Sequence, residues 1–215
     1  MNNKYKESKP LAYYMHVREE LVSVIPVGIH CVLEVGCAEG KTGKRLKDDG
    51  KARKVVGIEL HPDIALKAQK NLDYVIQGNI ENIEILEPYG KYNFILAGDV
   101  LEHLVDPWSV LRKLKKALAQ NGKIIFSVPN IRNWTVLFPL LFTGKWEYEK
   151  FGIMDSTHLR FFTKKTSIQL AESADMKVIS ITPAGSRIAK KFHRMHLPLL
   201  VEFTAVQFVI VCEKK

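Results

Sequence analysis

This chain of 215 residues contains few cysteines, no long apolar run and no strong compositional bias. The three cysteines, Cys31, Cys37 and Cys212, are odd in number and unclustered, which argues against a disulfide framework or a zinc site. No run approaches the ~18 apolar residues that a membrane span requires. The polar first residues also lack the apolar core of a signal peptide. We therefore expect a cytoplasmic protein with reduced, buried thiols.

The composition, 47% hydrophobic and 26% charged, favours a single globular domain over residues 1–215. Basic residues exceed acidic ones and give a formal net charge of +9. This excess permits a polyanionic partner such as RNA, or an acidic membrane surface, but requires neither. The most suggestive cluster mixes basic and apolar residues at 187–194, inside a segment that we interpret as a basic insertion at about residues 184–202.

Apolar runs rich in β-branched residues alternate with helical patterns along the chain. Five buried parallel strands are predicted at residues 31–35, 54–59, 74–77, 93–97 and 123–128, and two further strands at 176–182 and 203–212. This alternation predicts an α/β protein with a doubly wound sheet, in which ligands bind at the carboxyl ends of the strands.

The helices between these strands carry boundary signals. One helix opens with Asp106 as its N-cap and Pro107 at its first position, buries apolar residues as far as Leu118, and stops at residues 121–122, Asn-Gly. Another begins at residues 61–63, His-Pro-Asp, and runs to about residue 70. An N-terminal helix is predicted at residues 11–24, inside a segment of about residues 10–25. This helix would close the front of the domain.

The most informative stretch is the turn after the first strand, where residues 32–44 read V-L-E-V-G-C-A-E-G-K-T-G-K. Gly36 and Gly40 allow a ligand to approach the backbone at a helix N-terminus. The negative charges of Glu34 and Glu39 disfavour a phosphate ligand there. The glycine spacing also differs from the dinucleotide fingerprint G-x-G-x-x-G. A cationic, adenosine-bearing ligand fits this turn better.

This turn resembles motif I of the class I S-adenosylmethionine-dependent methyltransferases, E/D-x-G-x-G-x-G, with Ala38 in place of the middle glycine. The resemblance implies S-adenosylmethionine as methyl donor, held by Glu34, Gly36, Ala38 and Gly40. It also implies a Rossmann-like, seven-stranded sheet of order 3-2-1-4-5-7-6, with the seventh strand antiparallel.

Further donor contacts are predicted at the ends of the next three strands. Glu59 lies about 20 residues beyond the glycine turn, where a carboxylate accepts both hydroxyls of a ribose, and Leu60 follows it. By the same resemblance, Asn79 meets the adenine amino group and Ile80 packs against the ring. Asp99, at the end of the fourth strand, completes the predicted donor site.

Residues 99–103, D-V-L-E-H, occupy the place where methyl donor and acceptor meet in this family. They differ from the [D/N]-P-P-[Y/F] motif of enzymes that methylate base amino groups, and resemble small-molecule methyltransferases, including those of quinone biosynthesis. Methyl transfer from a sulfonium requires alignment in a dry cleft and, for a hydroxyl acceptor, a base. His103, oriented by Glu102, is a candidate base. A helix-capping or packing role for His103 is the alternative.

A divalent cation is a second interpretation of the same residues. Asp99, Glu102, His103 and His158 offer oxygen and nitrogen ligands, and some related O-methyltransferases hold magnesium through a similar E-x-x-E-H arrangement. Many relatives with an E-H pair at this place are metal-free. We therefore expect no metal, with magnesium as the alternative.

A second block, at residues 155–163, resembles the D-x-x-H-x-R-x-[FY]-[ST] pattern that follows strand five in many bacterial methyltransferases, including ones linked to cell-surface sugars and glycans. It predicts Asp155 and His158 as catalytic residues facing the acceptor, and Thr163 as a helix cap. The alternative is that Asp155, His158 and Arg160 form a structural network that holds the loop.

An apolar stretch at residues 133–146 precedes this block and is too short to span a bilayer. We interpret it as part of a lid-like insertion, at about residues 131–162, that excludes water or grips an apolar acceptor. A dimer contact or ordinary core packing are the alternatives.

These patterns together predict an S-adenosylmethionine-dependent methyltransferase acting on a small molecule, at a hydroxyl of a sugar, a glycan intermediate or a quinone-like compound. An RNA-binding methyltransferase and a non-catalytic nucleoside-binding adaptor are the alternatives. We expect no stable nucleic-acid partner. A peripheral membrane contact, a lipid-linked substrate and a homodimer are each compatible with the two insertions.

Overall fold

The computed structural model describes residues 16–84 and 91–215. In chain order, the elements are α1 (Glu19–Val22), β1 (Cys31–Val35), α2 (Lys41–Asp48), β2 (Lys54–Glu59), α3 (Pro62–Ala68), β3 (Tyr74–Gln77), β4 (Tyr92–Gly98), a 3-10 turn (Leu101–His103), α4 (Pro107–Ala117), β5 (Leu118–Pro129), α5 (Trp134–Thr143), α6 (Lys164–Ser173), β6 (Met176–Ala184), α7 (Arg187–Arg194), α8 (Pro198–Thr204) and β7 (Gln207–Lys214).

The strands form one seven-stranded sheet in the order β3-β2-β1-β4-β5-β7-β6. Strands β1 to β5 pair in parallel, while β7 runs antiparallel to both β5 and β6. The predicted fold class and strand order are therefore confirmed. None of the helices in the described ranges has the length and apolar character that crossing a bilayer requires.

Two apolar clusters cover the two faces of this sheet. Val32 and Leu33 are neighbours in β1 and belong to different clusters, because successive side chains of a strand point to opposite faces. Helix α4 buries Leu111 and Leu114 on one face, and α2 buries Leu46 on the other. Helices on both faces are the reason why the central parallel strands β1, β2 and β4 are largely apolar.

The predicted helix boundaries are partly right. Asp106 caps α4 by accepting a hydrogen bond from the Ser109 amide, and Pro107 occupies its first turn, as expected. The expected continuation of α4 through Leu118 to residues 121–122 is wrong. Leu118 is extended and pairs with Tyr92 of β4, so sheet pairing prevails over the helical spacing of the apolar residues.

The last strand is also displaced from its predicted position. It spans Gln207–Lys214 instead of residues 203–212, because Phe203 belongs to α8, which begins at Pro198. The predicted N-terminal helix is represented by α1, Glu19–Val22, in the described chain. Residues 11–15 of that prediction lie outside the described residues.

The three cysteines are free thiols, as the sequence predicts. Burial raises the pKa of the Cys212 thiol to about 12 and raises the pKa of Cys37 further. Thiolates are the reactive form of cysteine, so these two residues act as small apolar core residues.

Helix α2 is fixed at its start by a buried carboxyl group. Glu34, in β1, accepts a hydrogen bond from the Gly43 amide at 3.1 Å. Burial raises the pKa of Glu34 from its ordinary value of 4.5 to about 8, an effect that the Thr42 and Gly43 hydrogen bonds only partly offset. Glu34 is therefore protonated near neutral pH, and the glycine turn carries less negative charge than the sequence suggests.

This raised pKa predicts a pH dependence of stability. The folded protein holds the Glu34 proton more tightly than the unfolded chain does. The free energy of unfolding should therefore decrease as the pH rises from about 4.5 to about 8, with a slope of up to ~1.4 kcal/mol per pH unit from this group. Urea denaturation of the wild type and of Glu34→Gln across this range measures the effect. The variant should lack this part of the slope, and identical slopes in both proteins would contradict the assignment.

Candidate functional site

The carboxyl ends of β1, β2 and β4 meet at one edge of the sheet. Val35, the last residue of β1, pairs with Ile58 of β2 on one side and with Ala97 of β4 on the other. The residues that follow these strands are therefore neighbours in space although they are far apart in sequence. The structure brings the predicted donor residues together at this edge.

The turn after β1 has an unusual backbone. Gly36, Ala38 and Gly40 have φ angles of 66°, 49° and 75°, in the left-handed region. A Cβ atom on Gly36 would lie 2.7 Å from the Val100 side chain, so the turn also packs closely against the segment after β4. Ala38 departs from the glycine of the family motif, and its cost is conformational, about 1–2 kcal/mol for an L-residue in this region.

Glu59 holds this turn in place. Its Oε2 accepts a hydrogen bond from the Ala38 amide at 2.9 Å, and its Oε1 accepts one from the His61 amide at 3.0 Å. Each carboxylate oxygen can accept a further bond, so two acceptor positions are available to ribose hydroxyls. Glu39, which lies in the turn itself, instead forms an ion pair with Lys67 at 3.0 Å.

The residues predicted to surround adenine differ in how much exposed surface or hydrogen-bonding capacity they present to a ligand. Leu60 is 53% exposed and can pack against an aromatic ring. The Asn79 side-chain oxygen accepts a hydrogen bond from the Glu81 amide at 2.9 Å, which leaves it one further acceptor position. Ile80 is only 5% exposed and belongs to the core cluster, so it presents little surface to a ligand.

Asp99, at the end of β4, lies in a polar network that the sequence did not indicate. Its carboxylate accepts hydrogen bonds from the Arg18 guanidinium and, at 2.6 Å, from the Ser127 hydroxyl. With its amide nitrogen turned toward Asp99, Gln207 lies 3.0 and 3.2 Å from the two carboxylate oxygens. Arg18 comes from the segment before α1, which therefore closes over this end of the sheet.

The acceptor side is built from the 3-10 turn after β4 and the loop that contains residues 155–160. The His103 ring nitrogen Nδ1 lies 3.1 Å from the Thr157 hydroxyl and 3.2 Å from the Thr157 carbonyl oxygen. The same hydroxyl donates to the Asp155 carboxylate at 2.6 Å, and the Thr157 amide donates to it at 2.9 Å. Asp155, Thr157 and His103 thus form a continuous chain of hydrogen bonds.

His158 lies beside His103, with the ring centroids 4.7 Å apart. Its Nδ1 is 3.0 Å from the Ile153 carbonyl oxygen, and its Nε2 is 3.9 Å from the Glu102 carboxylate. Glu102 points inward from the 3-10 turn, where it is 1% exposed, and faces His158, whereas His103 contacts the loop. Orientation of His103 by Glu102 stays a prediction.

A cluster of aromatic side chains lies next to this pair of histidines. Phe161 packs edge-on against Trp146, with centroids 5.3 Å apart, and lies 6.3 Å from His158. Tyr148 lies 6.4 Å from the same phenyl ring. Thr163 caps α6 through a reciprocal pair of bonds with Thr166, as predicted.

The predicted set of metal ligands is only partly assembled. Within the described residues, ligand atoms of Glu102, His103 and His158 lie within 4.8 Å of one another, but Asp99 is not part of this group. The Asp99 carboxylate is instead hydrogen-bonded to Arg18 and Ser127. One carboxylate and two imidazoles suit zinc or iron(II) better than magnesium, which prefers oxygen ligands, so the three remaining residues fit the magnesium alternative poorly.

The chain is similar in sequence and in fold to known methyltransferases. The family model described as a methyltransferase domain, Methyltransf_23, matches residues 8–181. A ubiquinone biosynthesis O-methyltransferase of Vibrio campbellii is 27% identical over 159 residues, which cover 70% of this chain and 65% of that protein. A protein of the same name from Xanthomonas axonopodis pv. citri is 30% identical over 131 residues, 57% of this chain and 53% of its own length. The chain thus spans less than two thirds of these relatives.

Solved structures share the fold. A SAM dependent methyltransferase from Archaeoglobus fulgidus superimposes with a TM-score of 0.64 and 17% identity over 98% of this chain and 96% of that chain. An S-adenosylmethionine dependent methyltransferase from Mesorhizobium loti has a TM-score of 0.63 and 14% identity over 90% and 95% of the two chains. With the family model matched over most of its length and the strand order confirmed, the chain belongs to the methyltransferase domain family, within the class I S-adenosylmethionine-dependent methyltransferases.

Proposed function

We propose that this protein transfers a methyl group from S-adenosylmethionine to a hydroxyl oxygen on a quinone-like aromatic ring. The observation that carries the proposal is the pair formed by His103 and His158, adjacent to the aromatic side chain of Phe161 and to the end of β4. This arrangement offers a proton acceptor and a flat apolar surface in one place.

On the donor side, Glu59 is the proposed ribose ligand and the turn at Gly36 is the proposed place of closest backbone approach. Leu60 and Asn79 are the proposed contacts of the adenine ring, while Ile80 supports them from the core. The donor carries the methyl group on a positively charged sulfonium, which leaves as a neutral thioether. The residues around it therefore need to align and shield the reactants rather than stabilise a developing anion.

On the acceptor side, His103 is the proposed base. The Thr157 hydroxyl gives its hydrogen to Asp155, so its oxygen can accept a hydrogen bond from Nδ1–H of His103. This pattern places the imidazole lone pair on Nε2, the nitrogen that can accept the proton of a substrate hydroxyl. Thr157 and Asp155 are then positioning residues, and His158 is the second candidate for the base.

A quinone-like acceptor is favoured over a sugar by the surroundings of the histidines. Phe161, Trp146 and Tyr148 form an aromatic cluster beside His158, and aromatic rings stack favourably on one another. The relatives described as ubiquinone biosynthesis O-methyltransferases support the same acceptor class at 25–30% identity. The resemblance of residues 155–163 to glycan-linked methyltransferases keeps a sugar hydroxyl as the second candidate.

The acceptor class is tested by incubating the protein with S-adenosylmethionine and each member of an acceptor panel. Catechols and hydroquinones with short apolar tails represent the proposed class, and hexoses and nucleotide sugars represent the second candidate. Mass spectrometry detects the addition of one methyl group. Methylation of a phenolic hydroxyl is the expected result, and methylation of the sugars alone would overturn the proposed acceptor. Binding of the donor without turnover of any member would favour a non-catalytic adaptor.

The donor site is tested by comparing Glu59→Ala with Glu39→Ala, two substitutions that remove one carboxylate each from the same region. Glu59→Ala should weaken S-adenosylmethionine binding at least about tenfold, because hydrogen bonds to a charged group contribute about 1.5–3 kcal/mol each. Glu39→Ala should change the affinity little, since Glu39 faces Lys67. Isothermal titration calorimetry provides both values. Equal losses in the two variants, or none in Glu59→Ala, would refute the placement of the ribose.

The base is tested by His103→Ala and Thr157→Val. Loss of a general base typically lowers kcat about 10²–10⁴-fold, and His103→Ala should fall in this range. Thr157→Val keeps the imidazole but removes its hydroxyl partner, so it should lower kcat less and move the acidic limb of the pH–rate profile. His193→Ala, an exposed histidine of α7, is the control. Full activity of His103→Ala would exclude the base role.

The same assay distinguishes the magnesium alternative. If the group of Glu102, His103 and His158 works without a metal, EDTA leaves the rate unchanged. A rate that EDTA abolishes and magnesium restores would replace the base mechanism with metal-assisted activation of the hydroxyl.

A further inference from the structure

The chain exposes an unusual amount of apolar side chain on α5. This helix reads W-T-V-L-F-P-L-L-F-T, and among its residues only Val136 is buried. Leu141 and Phe142 are 74% and 75% exposed. A helix that is apolar on all sides is normally buried in protein or in lipid, so α5 requires a partner that the described residues do not supply.

One side of α5 carries an aromatic stripe. Trp134, Phe138 and Phe142 follow each other at four-residue spacing, with ring centroids 6.0 and 5.9 Å apart. Together with Lys145 they line a shallow groove that is open to solvent. Trp, Phe and Leu side chains together with basic residues are typical of helices that lie at the boundary between water and lipid.

Helix α8 lies next to the start of α5. The Asn133 side chain, which caps α5, donates a hydrogen bond to the Ala205 carbonyl oxygen at the end of α8 at 2.9 Å. Arg132 forms an ion pair with Glu202 of α8 and lies 4.9 Å from the Phe203 ring. Helix α7 packs against α8, so the start of α5, α8 and α7 are successive neighbours.

This neighbouring surface is strongly basic. Arg187, Lys190, Lys191 and Arg194 recur at the i, i+3, i+4, i+7 spacing of one helical face, and all four are exposed. No acidic residue occurs between Asp175 and Glu202 in the sequence. Within residues 16–84 and 91–215, no carboxylate lies at ion-pair distance from any of the four.

Apolar side chains accompany these charges. Ile188 and Met195 of the α7 region and Leu199 and Leu200 of α8 are exposed. The combination of a basic face with exposed large aliphatic side chains is typical of helices that lie in the plane of a membrane interface. Phosphates of a nucleic acid would use the charges but leave the leucines in water. A second copy of this surface would place like charges near each other.

We propose that α5, α7 and α8 form a docking surface for anionic phospholipid, which we call the lipid-facing surface. Helix α5 is about 15 Å long, too short to cross a bilayer, so it lies in the interface with its apolar side chains among the acyl chains. The four cations of α7 meet the phosphate groups of the lipid.

The lipid-facing surface lies at the same edge of the sheet as the candidate functional site. Pro129, Gln207 and Ala184 pair across β5, β7 and β6 at the same edge of the sheet that carries Asp99 and the glycine turn. Docking through this edge brings the acceptor side of the protein to the bilayer, where an apolar acceptor dissolves. The proposal does not rest on the proposed reaction, because lipid binding is measured without donor or acceptor.

The experiment is sedimentation of the full chain with two kinds of vesicle, phosphatidylcholine alone and an equal mixture with phosphatidylglycerol. We expect binding to the mixed vesicles, weak binding to pure phosphatidylcholine, and release by high salt. Trp134 and Trp146 should give a blue shift of tryptophan emission on binding. Failure to bind the mixed vesicles would overturn the proposal.

Two pairs of variants separate charge from apolar contact. Lys190→Glu/Lys191→Glu should reduce binding by about fivefold or more for each cation removed. Arg112→Glu/Lys116→Glu, on the exposed face of α4, changes the charge equally and should retain binding. Leu141→Ser/Phe142→Ser should reduce binding, whereas Val27→Ser/Ile29→Ser, which are equally exposed before β1, should not.

Three results would contradict the lipid-facing surface. Equal losses in the α4 and α7 charge variants would show that net charge alone drives binding. Salt-sensitive binding of RNA through α7, without binding of mixed vesicles, would make the partner a nucleic acid. Self-association that Leu141→Ser/Phe142→Ser abolishes, again without vesicle binding, would make it a second copy of the chain. A thermal shift with S-adenosylmethionine shows that each variant is folded.

Discussion

The double hydrogen bond from the Ala38 and His61 amides to the Glu59 carboxylate is the constraint on which the site depends. It joins the turn after β1 to the end of β2, and it holds Ala38 in a left-handed conformation that a non-glycine residue rarely adopts. Parallel pairing of β1 with β2 and β4 brings the two strand ends together. The buried carboxyl group of Glu34 secures the same turn from inside, through the first turn of α2.

The acceptor side is assembled differently, from segments that touch only through tertiary contacts. The 3-10 turn after β4 supplies His103 and Glu102, and the loop before α6 supplies Thr157 and His158. The Leu159 and Arg160 amides both bond to the Glu102 carbonyl oxygen, at 2.8 and 3.0 Å, and tie the loop to the turn. A small movement of this loop would therefore change the orientation of both imidazoles together, which makes it a natural point at which acceptor binding and catalysis are coupled.

Much of this could be predicted from the sequence, because strand and turn signals are local. The bounds of β1, β2 and β3, the cap at Asp106 and the cap at Thr163 follow from apolar runs and capping chemistry. The sequence predicts the wrong element for Leu118 because its pairing with Tyr92 is a contact between distant residues. For the same reason, neither the bond from Arg18 to Asp99 nor the position of Glu102 at His158 could be deduced. Thr157 does carry a local signal, because its hydroxyl lies two residues after the Asp155 carboxylate to which it donates.

The central claim is that a nucleoside is held by its ribose at the end of β2, with its reactive sulfur near the end of β4. A crystal structure of the protein with S-adenosylhomocysteine tests this claim most directly. The account predicts both ribose hydroxyls at hydrogen-bond distance, about 2.5–3.2 Å, from the Glu59 carboxylate, with the ligand sulfur between the turn at Gly36 and the segment from Asp99 to His103. A ligand seated elsewhere, or one that leaves Glu59 without contact to the ribose, would contradict it.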